Sequence, residues 1–202
     1  MHRIRRRRTL VLASTAMSLA VLAAGCSSGS DTNAAATPSA AAESATFGAG
    51  CAGIPPSGAG SLSAMAAAPV AMAASGNPSL TTFAGAVKDA GLFDTLENAK
   101  DITVFAPTND AFAGNKSEAL MMAKEKPTTE LPVVLKYHVV QGRLSPSELA
   151  GTHKTLEGQD LTVTGSNNEF AVNGSAKVVC GNIQTANATV YVIDGVLLPP
   201  KK

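Results

Sequence analysis

Apolar and polar positions alternate most sharply in residues 101–112, DITVFAPTNDAF. Ile102, Val104 and Phe105 are β-branched or aromatic and predict a strand with one well-buried face. Pro107 stops that strand, because proline cannot donate to a sheet ladder. Thr108, Asn109 and Asp110 then offer N-cap side chains to a helix beginning near Ala111. Near the other end, residues 189–200, TVYVIDGVLLPP, carry a second apolar run through Val190, Val192 and 196–198, which Pro199 and Pro200 end.

Before the first of these runs the period is helical. Residues 63–74, rich in Ala and Met, predict two short helices divided at Pro69. Leu80, Phe83, Ala84, Val87 and Ala90 follow i, i+3, i+4, i+7 spacing, with Lys88 and Asp89 outward and Gly91 as the stop. Leu92, Phe93 and Leu96 predict one more short packing helix. After the first run, residues 117–126 read as helix with Leu120 and Met121 inward. A further helix starts at 128–130, with Pro132 tolerated in its first turn. Leu131, Val134, Leu135 and His138 share one face of it. Residues 137–140 are strand-like, and Ser145-Pro146-Ser147-Glu148 has the form of a capping box opening a short helix.

From Gly151 onward the pattern is that of strands: 155–156, 161–163, 170–172, 178–179 and 190–193. Gly158, residues 165–168, Asn173-Gly174 and Gly181-Asn182 are the turn signals between them. Helices first and antiparallel strands later predict an α+β fold.

These stretches together resemble the fasciclin (FAS1) domain. Residues 103–112 are similar to its first signature box, through Thr103, Phe105, Pro107, Thr108, Asn109, Asp110 and Phe112. Residues 189–199 are similar to the second, through Val192, Ile193, Asp194, Leu197 and Pro199. Tyr137-His138 falls between, where that family carries a tyrosine-histidine motif. The resemblance runs from about residue 71 to 200. It implies a wedge-like β-sandwich of about seven strands with helices packed along one edge. The sequence departs from the pattern at Tyr191, where histidine is frequent, and at the polar residues 114–116. Together with a basic, then apolar, cysteine-ended start over residues 1–26, these stretches resemble the mycobacterial surface and secreted fasciclin antigens.

Charge is unevenly distributed. Of 16 Lys and Arg residues, five (Arg3 and 5–8) lie in the first 25 positions; without those positions 11 basic residues face 15 acidic, a net −4. No basic stripe remains, so nucleic acid is not an expected partner. The basic start, the short apolar run 9–24 and Leu22-Ala23-Ala24-Gly25-Cys26 predict a lipoprotein signal over 1–25, with Cys26 as the acylated residue. Residues 26–50, poor in apolar side chains, predict a disordered tether. An N-terminal extension, 51–70, then precedes the fasciclin-like domain, 71–202. This organisation predicts an exported, monomeric single domain held on the outer face of the cell membrane by lipid on Cys26, with shedding left open.

With Cys26 lipidated, Cys51 and Cys180 remain as a pair in an oxidising compartment and are expected to form a disulfide. Only His138 and His153 survive processing. No G-x-S-x-G elbow, zinc-ligand spacing or phosphate-cradling glycine loop is present, so catalysis, metal and cofactor are not expected. The family resemblance implies Tyr137 and His138 as an interaction surface. A buried His138 bonded to backbone, or to the polar turn 108–110, is the other reading. Asp194, Asn109 and Asp110 are expected to cap backbone amides. Two functions follow: an adhesion or interaction module contacting a host or cell-wall surface ligand, or a carrier of an apolar envelope lipid, with Met65, Met72, Met121 and Met122 lining an adaptable pocket.

Overall fold

Strand β1 (Ile102–Pro107) is buried along its whole length, which its position in the sheet requires. A computed structural model, describing residues 45–114 and 129–200, places β1 between β2 (Val139–Gln141), antiparallel, and β7 (Ala188–Ile193), parallel. A strand covered on both faces reads as a nearly continuous apolar run. Its register with β7 sets Thr103 beside Thr189, Phe105 beside Tyr191 and Pro107 beside Ile193. The two signature stretches are thus neighbouring parallel strands. Pro107 ends the ladder, and Thr108 N–H takes over by donating to Ile193 O at 3.0 Å.

The remaining strands are β3 (Gly151–Lys154), β4 (Asp160–Ser166), β5 (Glu169–Val172) and β6 (Ala176–Gln184). All seven form one sheet in the order β2-β1-β7-β6-β5-β4-β3. Its ends nearly meet: Val140 bridges Thr155, and Leu156 N–H donates to Val139 O at 2.7 Å. Seven strands with several short helices make the fold α+β, as the sequence predicts.

Alternation along the strands sorts their side chains into two cores. Ile102, Val104 and Ala106 of β1, with Ala188, Val190 and Val192 of β7, face the helices. Phe105, Tyr191 and Ile193 face the inside of the curled sheet. Six α-helices are described: α1 (Leu62–Ala67), α2 (Val70–Gly76), α3 (Thr81–Asp89), α4 (Phe93–Asn98), α5 (Asn109–Ala113) and α6 (Glu130–Tyr137). Met65, Val70, Leu80, Phe83, Val87 and Leu96 fill the helix-side core, matching the helical periodicity. None of the described helices is long and apolar enough to cross a membrane.

Several expectations are corrected. Residues 145–148 form a turn and no helix, although Ser145 and Glu148 do meet: Ser145 Oγ donates to Glu148 Oε2 at 2.8 Å. Leu149, fully buried, pulls the chain inward before a second helical turn can form. Gly181-Asn182 is not a turn between strands. It lies inside β6, where the register shifts twice against β7. Each shift adds one residue on β6, and a bulge of that kind reverses which face the following side chains occupy. Val178 therefore lies in the inner core and Cys180 in the helix-side core. Gly165 belongs to β4, and the tight turn is Asn167-Asn168, both at positive φ, as type I′ hairpins need. Thr155 makes a single bridge and the strand is the preceding Gly151–Lys154, an exposed run with no apolar alternation to announce it. The helix after Pro107 begins at Asn109, two residues earlier than expected.

The tether also ends earlier than residue 50. Phe47 N–H donates to Gly181 O at 3.2 Å, and Gly181 N–H to Phe47 O at 2.8 Å. Residues 45–53 thereby form a strap along β6, because Phe47 supplies the aromatic surface that its Ser, Ala and Gly neighbours lack. The signal segment, Cys26, the rest of the tether and the helix expected at 117–126 lie outside the described residues.

Candidate interaction site

His138 closes the C-terminus of α6. Its ring turns back so that Nδ1 meets Val134 O at 2.8 Å, satisfying a carbonyl that the helix end leaves unpaired. Leu197 N–H donates to Nε2 at 2.9 Å. A backbone N–H can only donate, so Nε2 is unprotonated and Nδ1 carries the proton that Val134 accepts. The neutral tautomer follows from these two neighbours. With the ring fully buried, desolvation pushes its pKa down to about 4, against the opposing Val134 hydrogen bond.

Tyr137 is equally committed. It is buried, its hydroxyl donates to Asp160 O at 3.1 Å, and Asn173 Nδ2 donates to it at 2.8 Å. Burial raises its pKa, and the Asn173 bond partly offsets that. Tyr137 and His138 as surface interaction residues are therefore corrected. Their polar atoms are spent inside the chain, joining α6 to the β4 and β5 region and to the segment after β7. The backbone-bonded reading of His138 describes the geometry, with Val134 and Leu197 as partners in place of the turn 108–110.

The two signature boxes are built the same way. Thr103, the polar residue within β1, donates from Oγ1 to Gly142 O at 2.7 Å and accepts from Leu144 N at 2.9 Å. Phe105 stacks on Tyr191 with ring centres 5.8 Å apart. Tyr191, at the departure from histidine, spans the inner core and donates to Leu144 O at 2.9 Å. Burial raises its pKa well above the ordinary phenol value. Thr108 caps α5 by accepting from Ala111 N at 3.2 Å, and Phe112 is buried beneath it. Asn109 serves another helix: Oδ1 accepts from Thr82 N at 2.9 Å and Nδ2 donates to Pro78 O at 2.8 Å. Asp110 lies exposed in the first turn of α5, where a negative charge suits the helix dipole. Asp194 Oδ1 accepts from Lys177 N at 2.6 Å. Val192, Ile193 and Leu197 are core, and Pro199 is half-buried at the end of the run.

One organising residue carried no sequence signal beyond a glycosylation-type triplet. Asn187, in the turn between β6 and β7, accepts from Val70 N at 2.8 Å. Its amide donates to Leu96 O at 2.7 Å and Ala99 O at 2.9 Å. One side chain thus ties the start of α2 and the end of α4 to the sheet.

Cys51 and Cys180 are joined, S–S 1.97 Å, closing 129 residues of sequence separation. The bond fastens the strap to β6. Beside it an open groove of about 810 Å³ lies between Gly48 to Gly50 of the strap, β5 at Phe170 and β6 at Val179, with Lys177 and Asp194 on its rim. Met65 and Met72 do not share a pocket. Met65 is fully buried in the helix-side core, whereas Met72 is 55% exposed. Met121 and Met122 lie outside the described residues. Among the described residues no three His, Cys, Asp or Glu side chains converge as metal ligands. His153 Nε2 bonds Leu149 O at 2.9 Å.

The family model for the fasciclin domain matches residues 78–199. The chain is 49% identical over 151 residues to the cell surface glycolipoprotein MPB83 of Mycobacterium bovis, covering 72% of this chain and 67% of that protein. It is 47% identical over 150 residues to the immunogenic protein MPB70 of the same species, covering 72% and 76%. In structure it is similar to a FAS1 domain pair from the insect cell adhesion molecule fasciclin I. The TM-score is 0.56 at 15% identity, over 67% of this chain and about half, 52%, of that one.

Proposed function

Because this chain belongs to the fasciclin family, we propose that it is a non-catalytic interaction module displayed at the cell surface, anchored by lipid on Cys26. The observation that carries this reading is its 49% identity, across most of the domain, to a protein named a cell surface glycolipoprotein. The Leu22–Cys26 sequence supports the anchor, since small residues directly before a cysteine suit lipoprotein processing. Two or three acyl chains on one cysteine would hold the protein to the membrane, whereas one chain alone binds marginally.

The motif geometry agrees with a binding role in one respect. Apart from exposed Asp110, the polar side chains that the family signature supplies are engaged in holding the fold, which leaves the exposed faces to carry the contacts with a host or cell-wall surface ligand. Intact mass and detergent-phase partitioning of the native protein test the reading. An acylated species starting at Cys26 and entering the detergent phase supports it. A soluble, unacylated species starting elsewhere overturns the anchor and makes the protein a diffusible binder.

A further inference from the structure

The strap 45–53 precedes residues 78–199, which the fasciclin model covers, and it lies on the edge of β6 that β5 pairs with. Pairing of β5 with β6 ends at Ala171 and Lys177, and pairing of the strap with β6 is at Phe47 and Gly181. Both are antiparallel. Among the described residues Val179, between them, is in neither pairing; Gly48 and Gly50 of the strap pack against its backbone, and the groove opens beside it.

The strap also shows what this edge accepts. The ring of Phe47 enters the inner core, 5.6 Å from Phe170 and 6.2 Å from Tyr191 between centres. Its far end lies over Gly181, where a Cβ would collide with the ring. Two backbone bonds join the strap to Gly181, and Asn182 Nδ2 donates to Ala45 O at 3.2 Å. The Cys51–Cys180 bond fastens it covalently.

We propose that the β6 edge beneath the strap is a docking site for an extended peptide that carries an aromatic residue opposite Gly181, and that the strap occupies and closes it while Cys51 and Cys180 are bonded. The peptide would add as an antiparallel strand, backbone to backbone, with its aromatic ring in the Phe47 position and its next residues running past Val179 into the groove. Strand addition of this kind takes affinity from main-chain bonds and specificity from side-chain pockets. A dithiol reductant opens the site. It supplies two electrons and two protons, the S–S bond breaks, Cys51 and Cys180 become thiols, and the reductant closes to its own disulfide. The inference deepens the interaction-module reading by naming a surface and a partner chemistry, and its test is separate from that of surface display.

The test is a fluorescence-anisotropy titration with a labelled peptide of residues 44–53 bearing Cys51→Ser. The receiving protein is the full chain with Phe47→Ala, Cys51→Ser and Cys180→Ser, compared with the disulfide-bonded wild type. Saturable binding to the triple variant is expected, about tenfold or more weaker for the wild type and for a peptide with Phe47→Ala, since one buried aromatic anchor dominates such contacts. Equal binding of both peptides overturns the proposal. So does no binding by a triple variant whose circular dichroism and thermal transition show a folded domain. If that variant does not fold, the same titration is run on wild type reduced with dithiothreitol, and absence of binding there overturns the proposal as well. A negative result leaves lipid anchoring and contacts at other faces intact, because mass and partitioning read those.

Discussion

Leu197 donates its backbone N–H to His138 Nε2 across 59 positions of sequence. That bond makes an imidazole the fastener between the end of α6 and the segment after β7, and it holds only while the ring is neutral.

Stability should therefore fall in acid. The pKa of His138 is depressed in the fold to about 4 from an ordinary 6.5, so the unfolded chain binds the proton more readily. Its contribution is complete above about pH 6.5 and is lost as the pH falls through 4, a loss on the order of 3 kcal/mol. Urea unfolding of wild type and His138→Ala at pH 7.5, 5.5 and 4 measures it. The gap between the two proteins should narrow by roughly that amount on acidification. A gap independent of pH would mean that His138 is not the titrating group.

Asn187→Ala should cost about 2–4 kcal/mol, because Leu96 O, Ala99 O and Val70 N all lose a partner at once. Asn187→Asp keeps the acceptor for Val70 but removes both donors, so it should not restore stability. Chemical denaturation of the two variants gives the ranking, and a loss below about 0.5 kcal/mol for both would remove Asn187 from this role.

Gly181→Ala should destabilise by about 1–3 kcal/mol, since its methyl group must displace the Phe47 ring. The penalty should largely vanish in a Phe47→Ala background, where no ring is in the way. A double-mutant cycle by denaturant unfolding reads the coupling between them. Additive effects would show that the ring and Gly181 do not touch.

Reducing the Cys51–Cys180 bond should lower stability by up to about 5 kcal/mol, from the entropy returned to an unfolded chain that no longer closes so long a loop. Thermal melts with and without reductant measure the shift. Unchanged melting would imply that the cysteines are not bonded in the native protein.

Local patterns in the chain were sufficient for most elements. The β1 alternation, the Thr108 cap, the α3 stripe at Leu80, Phe83 and Val87, and the Asn173-Gly174 turn each rest on neighbours within a few residues. Steric and capping rules act at that range, so the α+β class and the two signature strands were legible. Where a local signal had two structural meanings it misled. Gly181-Asn182 suits a turn and a bulge equally well, and Ser145–Glu148 makes its side-chain contact without a helix, because buried Leu149 sets the path of the chain.

What the sequence determined by itself was the identity and order of most elements, the pairing left to two cysteines, and the likeness to the fasciclin domain. Tertiary structure decided how its polar residues are used. The family resemblance implied Tyr137 and His138 as a surface pair, with a buried His138 as the other reading; the curled sheet and α6 enclose both, and a buried polar group must find partners within the chain. Asn187 became a hub only because the β6–β7 turn meets α2 and α4. Phe47 became core only because β5 ends early and Gly181 leaves room for a ring. Each outcome depends on residues distant in sequence arriving at one place, which no local pattern encodes.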